Sequence, residues 1–293
     1  MENPTNANTK KILIFIVNEI IYGGHIQCFS ALSIIFLSAI LLKIKITLDI
    51  LIIVYLMFYA FYLYNRFKEI HIDSSTNPQR TKHLKTYLKL IPFILYFIII
   101  TLFISLIYFS NIWVLIFSLF LFALGILYTV SFKKITKNVA LFKNIYVSIF
   151  FALLPLYLLI YYSPLITNFL ITATLTLSLF IFLKTFIIQI FLDIKDIESD
   201  RKEGLITFPV VFGKEKTLKF LSLANTLIIL TIPIFFSLYL NIFPKSILMI
   251  IFAVPFSLYC YDLARKQKYF GYILQSGEYV LWAILILVGK ILL

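Results

Sequence analysis

Glycine, proline and charge are all scarce in this chain, and each scarcity excludes something. Only 8 glycines and 9 prolines interrupt 293 residues, so the apolar runs are not cut into the short pieces that turns would separate. The alternating ten-residue segments of a transmembrane barrel are missing as well. Charged residues make up 13% of the chain, against about a quarter in soluble domains. That is too little charge to cover an aqueous surface. The two cysteines, Cys28 and Cys260, lie in apolar segments without metal-ligand spacing and read as packing residues. What is abundant is hydrocarbon: hydrophobic residues reach 62%. The expectation is an all-α integral membrane protein, one domain over residues 1–293, with no separate soluble domain and no short-period repeat.

The apolar runs predict nine membrane-spanning helices near residues 16–42, 47–66, 87–109, 112–130, 141–162, 165–192, 217–240, 243–264 and 271–292, each close to or above the roughly 20 residues that cross a bilayer's hydrocarbon core. A net charge of +13 would suit a nucleic-acid binder, but the positions of the charges argue against that partner. Counted by sides of the nine-helix layout, 22 of the 26 lysines and arginines fall on one face, and only Lys43, Lys45, Lys245 and Lys290 fall on the other. The positive-inside rule then puts the N-terminus and the connections after the second, fourth, sixth and eighth helices in the cytoplasm, and the C-terminus outside the cell membrane. The opposite connections, around Ser110 and Asn111 and from Ser163 to Asn168, are short and leave no room for an outer domain. Lys10 and Lys11 precede an apolar run as in a secretory signal, yet Asn18 and Glu19 interrupt it and no small-residue cleavage site follows. The segment is expected to be retained.

Eight of the 13 carboxylates gather in two polar stretches. The first, Tyr62 to Lys85, reads YLYNRFKEIHIDSSTNPQRTKHLK and begins while the second helix is still running. Asn65, Glu69 and Asp73 recur there every four residues, and a turn from Ser74 to Pro78 leads to Arg80, Lys82, His83 and Lys85. The second, Phe191 to Thr217, reads FLDIKDIESDRKEGLITFPVVFGKEKT. Asp193, Asp196 and Asp200 stand at i, i+3 and i+7 and share one helix face, while Glu198 points elsewhere. Arg201 and Lys202 follow, then Gly204 as a helix stop. Each set extends an apolar helix as an acidic ridge into a cavity on the cytoplasmic side. Two such ridges are costly in a bilayer-spanning protein unless positive charge lies between them. Divalent cations carrying a phosphate group meet that need, with Arg or Lys neutralising the remaining phosphate charge.

These residues resemble the UbiA superfamily of membrane prenyltransferases, whose members are nine-helix bundles with an NDxxDxxxD-type motif after helix 2 and a DxxxD motif after helix 6. Asp196 and Asp200 match the acids of the second motif, Asp193 sits at the polar position upstream, and TFPVVFG is similar to the family's continuation. In the first motif Asn65 and Asp73 match, Glu69 replaces an aspartate, and Arg66 stands where the family often has an acid. Asn77, Pro78 and Arg80 resemble a basic turn of the family. LYTVSFKKITKNVALFKN after helix 4 is similar to its tyrosine followed by a basic loop, with Tyr128 facing the cavity and Lys133, Lys134 and Lys143 nearby. The resemblance implies a prenyl diphosphate donor, a lipophilic acceptor and Mg²⁺ held by Glu69, Asp73, Asp196 and Asp200. Arg80, Lys82, Lys133, Arg201 and Tyr128 would bind the diphosphate. Acceptors in the family range from aromatic acids and quinone precursors to glycerol-phosphate lipids.

Two further polar pairs fall inside apolar helices, Asn18 with Glu19 and Gln275 with Glu278; either would contact the acceptor, or make a buried hydrogen bond. His25, His71 and His83 lack the spacing of a metal triad. The competing readings are another lipid-diphosphate-type transferase, whose denser single aspartate motif is not found here, and a cation-coupled transporter. The transporter reading expects ionisable groups near the midplane on interrupted helices, whereas these carboxylates lie at one face and glycine and proline breaks are few. Because Glu69→Asp restores the commoner family residue, that variant is expected to keep at least part of the wild-type rate of diphosphate release in a membrane assay.

Overall fold

The computed structural model describes residues 4–71, 74, 77–130 and 132–293, with the side chains of all of these except 4–8, 129–130, 132–134 and 165. Among them no strand occurs and helix follows helix. Six helices are long and apolar enough to cross a membrane, and up to eight spans result if each of two bent pairs counts as one. Ile112–Tyr128 is apolar but shorter. Aromatic and aliphatic side chains point outward along these helices: Phe97 is 70% exposed, Ile107 72% and Tyr108 80%. In water such a surface would aggregate; against lipid it is the solvated face.

The elements that build the interior are α1 (Pro4–Tyr22), α2 (His25–Leu41), α3 (Leu48–Lys68), α4 (Pro78–Lys85), α5 (Ile91–Phe109), α6 (Ile112–Val130), α7 (Phe142–Ala152), α8 (Leu154–Tyr161) and α9 (Asn168–Asp193). They continue with α10 (Ile197–Lys202), α11 (Phe208–Phe212), α12 (Lys214–Ile234), α13 (Ala253–Arg265), α14 (Phe270–Ser276) and α15 (Glu278–Leu292). Thr167 caps α9, its Oγ1 accepting from Leu170 N at 3.2 Å, which satisfies one of the amides a helix start leaves open. The main core runs through α2, α3, α8, α9 and α15. Within it the Phe180 and Trp282 rings lie 5.0 Å apart, and Phe58 lies 5.3 Å from both Phe150 and Phe151. Cys28 and Cys260 are free thiols, fully buried in the packing.

Two expectations need correction. The first and last apolar runs are not continuous helices: α1 meets α2 at 61° across Gly23 and Gly24, and α14 meets α15 at 50° across Gly277. Gly24 takes φ +109°, a conformation open to glycine and strained for other residues. The lone Gly277 does not announce such a break, whereas the Gly23–Gly24 pair is a turn signal that the apolar run around it outweighed. Proline adds a milder irregularity in α12, where Pro233 precedes a π-helical turn, Phe235–Tyr239.

Lys184, counted by sequence with the cytoplasmic charges, is instead fully buried within the bundle. Its ammonium lies 2.7 Å from Glu278 Oε1, also fully buried. It donates further to Asn225 and, at 3.4 Å, to Ser257 Oγ. Ser257 Oγ and Trp282 Nε1 donate to the same Glu278 oxygen at 3.0 and 3.1 Å, and Gln275 donates to the other. The pair therefore ties α9 to the break between α14 and α15. Removing one member leaves an uncompensated charge in a low-dielectric interior. Lys184→Met is expected to cost about 3–5 kcal/mol, read as a lower melting temperature in detergent, and adding Glu278→Leu to it should recover most of the loss.

Candidate functional site

Segments from along the whole chain converge on one polar chamber. The C-terminal turns of α3 contribute Arg66, and the end of α9 contributes Gln189, Leu192 and Asp193. A 3-10 turn, Ile194–Asp196, follows α9 and adds Lys195 and Asp196. Lys143 comes from the start of α7, Arg80 from α4, and Tyr272, Ile273 and Ser276 from α14. The α1/α2 elbow closes the chamber with Tyr22, Ile26 and Gln27. At its mouth the Tyr22 hydroxyl donates to Gln79 Oε1 at 2.6 Å and the Tyr269 hydroxyl to Asn77 Oδ1 at 3.2 Å, so the α4 turn is tied to both bent pairs.

The carboxylates of the second stretch do different things, because the 3-10 turn interrupts the helix that would have aligned them. Asp193 is buried and pinned: Lys143 Nζ donates to Oδ1 at 2.6 Å and Asn144 Nδ2 to Oδ2 at 2.7 Å. Asp196 walls the chamber, with Lys195 Nζ 3.4 Å from Oδ2. Asp200 is 6% exposed. Asp196 Oδ1 and Asp200 Oδ2 are both buried oxygens without a hydrogen-bond partner among the described residues. Hard anionic oxygens left open in this way suit Mg²⁺, which is bound through one or two carboxylates together with substrate phosphates. Among the described residues no three His, Cys, Asp or Glu side chains converge as a complete metal cage.

Of the first stretch, Asn65 donates to Glu69 Oε2 at 3.2 Å. Asn65 also faces a second cavity, an aromatic cleft walled by Phe61, Tyr62, Gly125, Tyr128, Tyr146, Val147, Phe150 and Phe151. A Cβ on Gly125 would come within 2.6 Å of the Phe61 ring, so this glycine permits the close approach of α6 to α3. Tyr128 links the two stretches: Glu69, Asp193, Asp200 and Lys143 all lie within electrostatic reach of its phenol. Between chamber and cleft lies a third, small cavity, the waist. It shares Gln27, Gln189, Leu192 and Ser276 with the chamber, and Tyr62 and Phe151 with the cleft.

The structure thus brings Arg80, Asp193 and Asp196 into one chamber, with Asp200 buried behind, and puts Asn65 and Tyr128 on the adjoining cleft. Lys82 and Arg201 are exposed and do not wall the chamber, and Glu198 is exposed as its phase on the helix requires. Asp73 and the side chain of Lys133 lie outside the described residues. Sequence reasoning missed Arg66, Lys195, Tyr22 and Tyr272 as chamber walls. The sequence shows Arg66 directly after Asn65 at the end of an apolar run; that it is only 5% exposed is seen in the structure. Glu19, outside the chamber, accepts from the Tyr87 hydroxyl at 2.8 Å and meets His83 Nε2 at 2.7 Å and His25 Nε2 at 3.3 Å. Burial first, and the Glu19 bond second, raise the Tyr87 phenol above its ordinary range, so it remains a donor at all physiological pH. This network clasps α1 to α4.

A family model described as the UbiA prenyltransferase family matches residues 28–287. Two solved structures share the fold. One, an apo UbiA homologue from Aeropyrum pernix K1, aligns with a TM-score of 0.63 at 14% identity over 90% of this chain and 97% of the other. The second, from work on digeranylgeranylglyceryl phosphate synthase in membranes, aligns with a TM-score of 0.55 at 18% identity over 95% of this chain and 98% of the other. No curated protein sequence matches significantly.

The Lys143–Asp193 contact generates a test of the chamber's architecture. Asp193→Ala removes the carboxylate to which Lys143 and Asn144 both donate and is expected to cost about 3 kcal/mol, seen as a lowered melting temperature, whereas Glu198→Ala on the exposed face should leave it unchanged.

Proposed function

The chain belongs to the UbiA prenyltransferase family, and from that premise we propose that it transfers a prenyl group from an allylic prenyl diphosphate to a lipophilic acceptor inside the membrane. The observation that carries this reading is the junction of two unlike cavities. A diphosphate needs a polar chamber with cations, and a prenyl chain needs hydrocarbon walls. Here the two lie on either side of one small cavity that shares Tyr62 and Phe151 with the cleft and Gln27, Gln189, Leu192 and Ser276 with the chamber.

Glu69, Asp73, Asp196 and Asp200 would hold Mg²⁺, and the ion would supply Lewis-acid charge for departure of the diphosphate. Arg80 on the chamber wall would neutralise the leaving charge, with Lys82, Lys133 and Arg201 as further cations of the flanking segments. The C–O bond at the first prenyl carbon breaks with its electron pair going to the diphosphate. The allylic cation left behind lies against the Tyr62 and Phe151 rings, whose faces stabilise positive charge. A nucleophilic atom of the acceptor then bonds to that carbon and loses a proton. The rest of the prenyl chain occupies the aromatic cleft beside Phe61, Tyr128 and Phe150. In this reading α6 is counted as a further span, giving nine, and the chamber opens to the cytoplasm, as the distribution of lysine and arginine requires.

The transporter alternative gains one supporting observation, the breaks at Gly23–Gly24 and Gly277. A single assay separates the two. Purified protein in nanodiscs, supplied with Mg²⁺ and farnesyl or geranylgeranyl diphosphate, should release pyrophosphate and produce a mass-shifted acceptor. The acceptor panel should include quinone precursors and glycerol-phosphate lipids. EDTA should stop turnover, and Asp196→Ala or Asp200→Ala should reduce it by at least about a hundredfold while the protein still elutes as a folded species. Normal turnover in either variant would overturn the site assignment, and absence of release across the panel would favour transport.

A further inference from the structure

Arg66 stands where the resemblance expects an acid, and the fold does not turn it aside. It is 5% exposed and forms part of the chamber wall together with Arg80, Lys143 and Lys195. The chamber wall carries these four cations against two carboxylates, Asp193 and Asp196, among the described residues. Adding Glu69 and Asp200, which lie beyond that wall, makes four carboxylates against the four cations among the described residues. A site that recruits an anion solely through metal would instead be dominated by acids, and would repel diphosphate until the metal arrived.

The backbone is also arranged around this arginine. A Cβ built on Gly24, at the α1/α2 elbow, would meet Tyr62 Cβ at 3.0 Å and Arg66 Nη1 at 3.6 Å. The elbow therefore runs against the guanidinium and holds it beside Tyr62, the residue shared by waist and cleft. A buried guanidinium is held at a considerable desolvation cost, and its planar fork suits two phosphate oxygens at once.

We propose that this chamber captures the diphosphate headgroup directly through Arg66 and Arg80, with Lys143 and Lys195, each beside an aspartate, adding positive field, and with Arg66 supplying charge that a metal ion would otherwise provide, so that headgroup binding does not require Mg²⁺. The proposal rests on the prenyltransferase reading and divides its two stages: cations of the chain hold the headgroup, and the metal serves the bond-breaking step.

The test is equilibrium binding rather than turnover. Farnesyl thiolodiphosphate, a slowly reacting analogue, and inorganic pyrophosphate are titrated into the full-length protein in nanodiscs, in EDTA and in Mg²⁺. Wild type should bind both probes in EDTA. Arg66→Gln should bind at least about tenfold more weakly there, as expected for the loss of one charge-assisted contact. Arg66→Lys should recover part of the loss, which separates charge from packing and guards against a glutamine variant that fails to fold. Lys216→Gln, an exposed lysine away from the chamber, should bind as wild type does. Binding that appears only with Mg²⁺, or that is unchanged in folded Arg66→Gln, would overturn this proposal and leave the prenyltransferase reading standing. Absence of binding under both conditions would overturn both.

Discussion

The ion pair between Lys143 and Asp193, closed at 2.6 Å and reinforced by Asn144, fixes the end of the longest helix against the start of α7. The remainder of the site is arranged from that point. With Asp193 pinned, the chain leaves α9 through the 3-10 turn at a set angle, bringing Lys195 and Asp196 onto the chamber wall and burying Asp200 behind them. Were Asp193 free to continue a regular helix, all three aspartates would align on one ridge. Instead one carboxylate orients the protein and two keep open oxygens. The same economy governs the deeper charges. Lys184 and Glu278 satisfy each other within a network of uncharged donors and acceptors, as a low-dielectric bundle requires.

Much of this was legible in the sequence, for reasons of period and composition. The scarcity of charge fixed the solvent as lipid, and the four-residue recurrence of Asn65 and Glu69 placed them one turn apart at the end of α3, where they do bond. Arg80 and Asp196 stood out because charge clusters at helix ends are conspicuous against apolar runs, and Tyr128 because a basic loop follows it. What stayed hidden was tertiary. Residues 184 and 278 are separated by 94 positions, and nothing local marks them as partners. Lys82 and Arg201 looked equivalent to Arg80, because a list of charges does not say which side of a short helix faces inward. Arg66 was read as a missing acid because motif comparison records a departure without its position in space.

The aromatic residues illustrate a related ambiguity. With 31 phenylalanines and 19 tyrosines, abundance alone marks no site, since rings serve equally well against lipid and in a core. The structure sorts them by neighbour. Tyr108 faces outward, Phe58 fills the core, and Tyr62 and Phe151 occupy the boundary between a polar and an apolar cavity. The last position has charge beside it, since Gly24 lies against both Tyr62 and Arg66, and it depends on Gly24 and Gly125, two places where a Cβ would crowd Tyr62 or Phe61.

The two bent pairs also touch each other. Ser30 Oγ, in α2, donates to the carbonyl of Ser276 at 2.7 Å, and a Cβ on Gly277 would lie 3.5 Å from Ile26 Cγ2. A broken helix in lipid exposes backbone groups that something must satisfy, and here a side chain beside the first break satisfies a carbonyl at the second. The breaks are therefore thermodynamically one element rather than two. Straightening either would strand a polar group at the other, so sequence change at one elbow is constrained by a segment nearly 250 residues away, and neither half of the chain is free to drift alone.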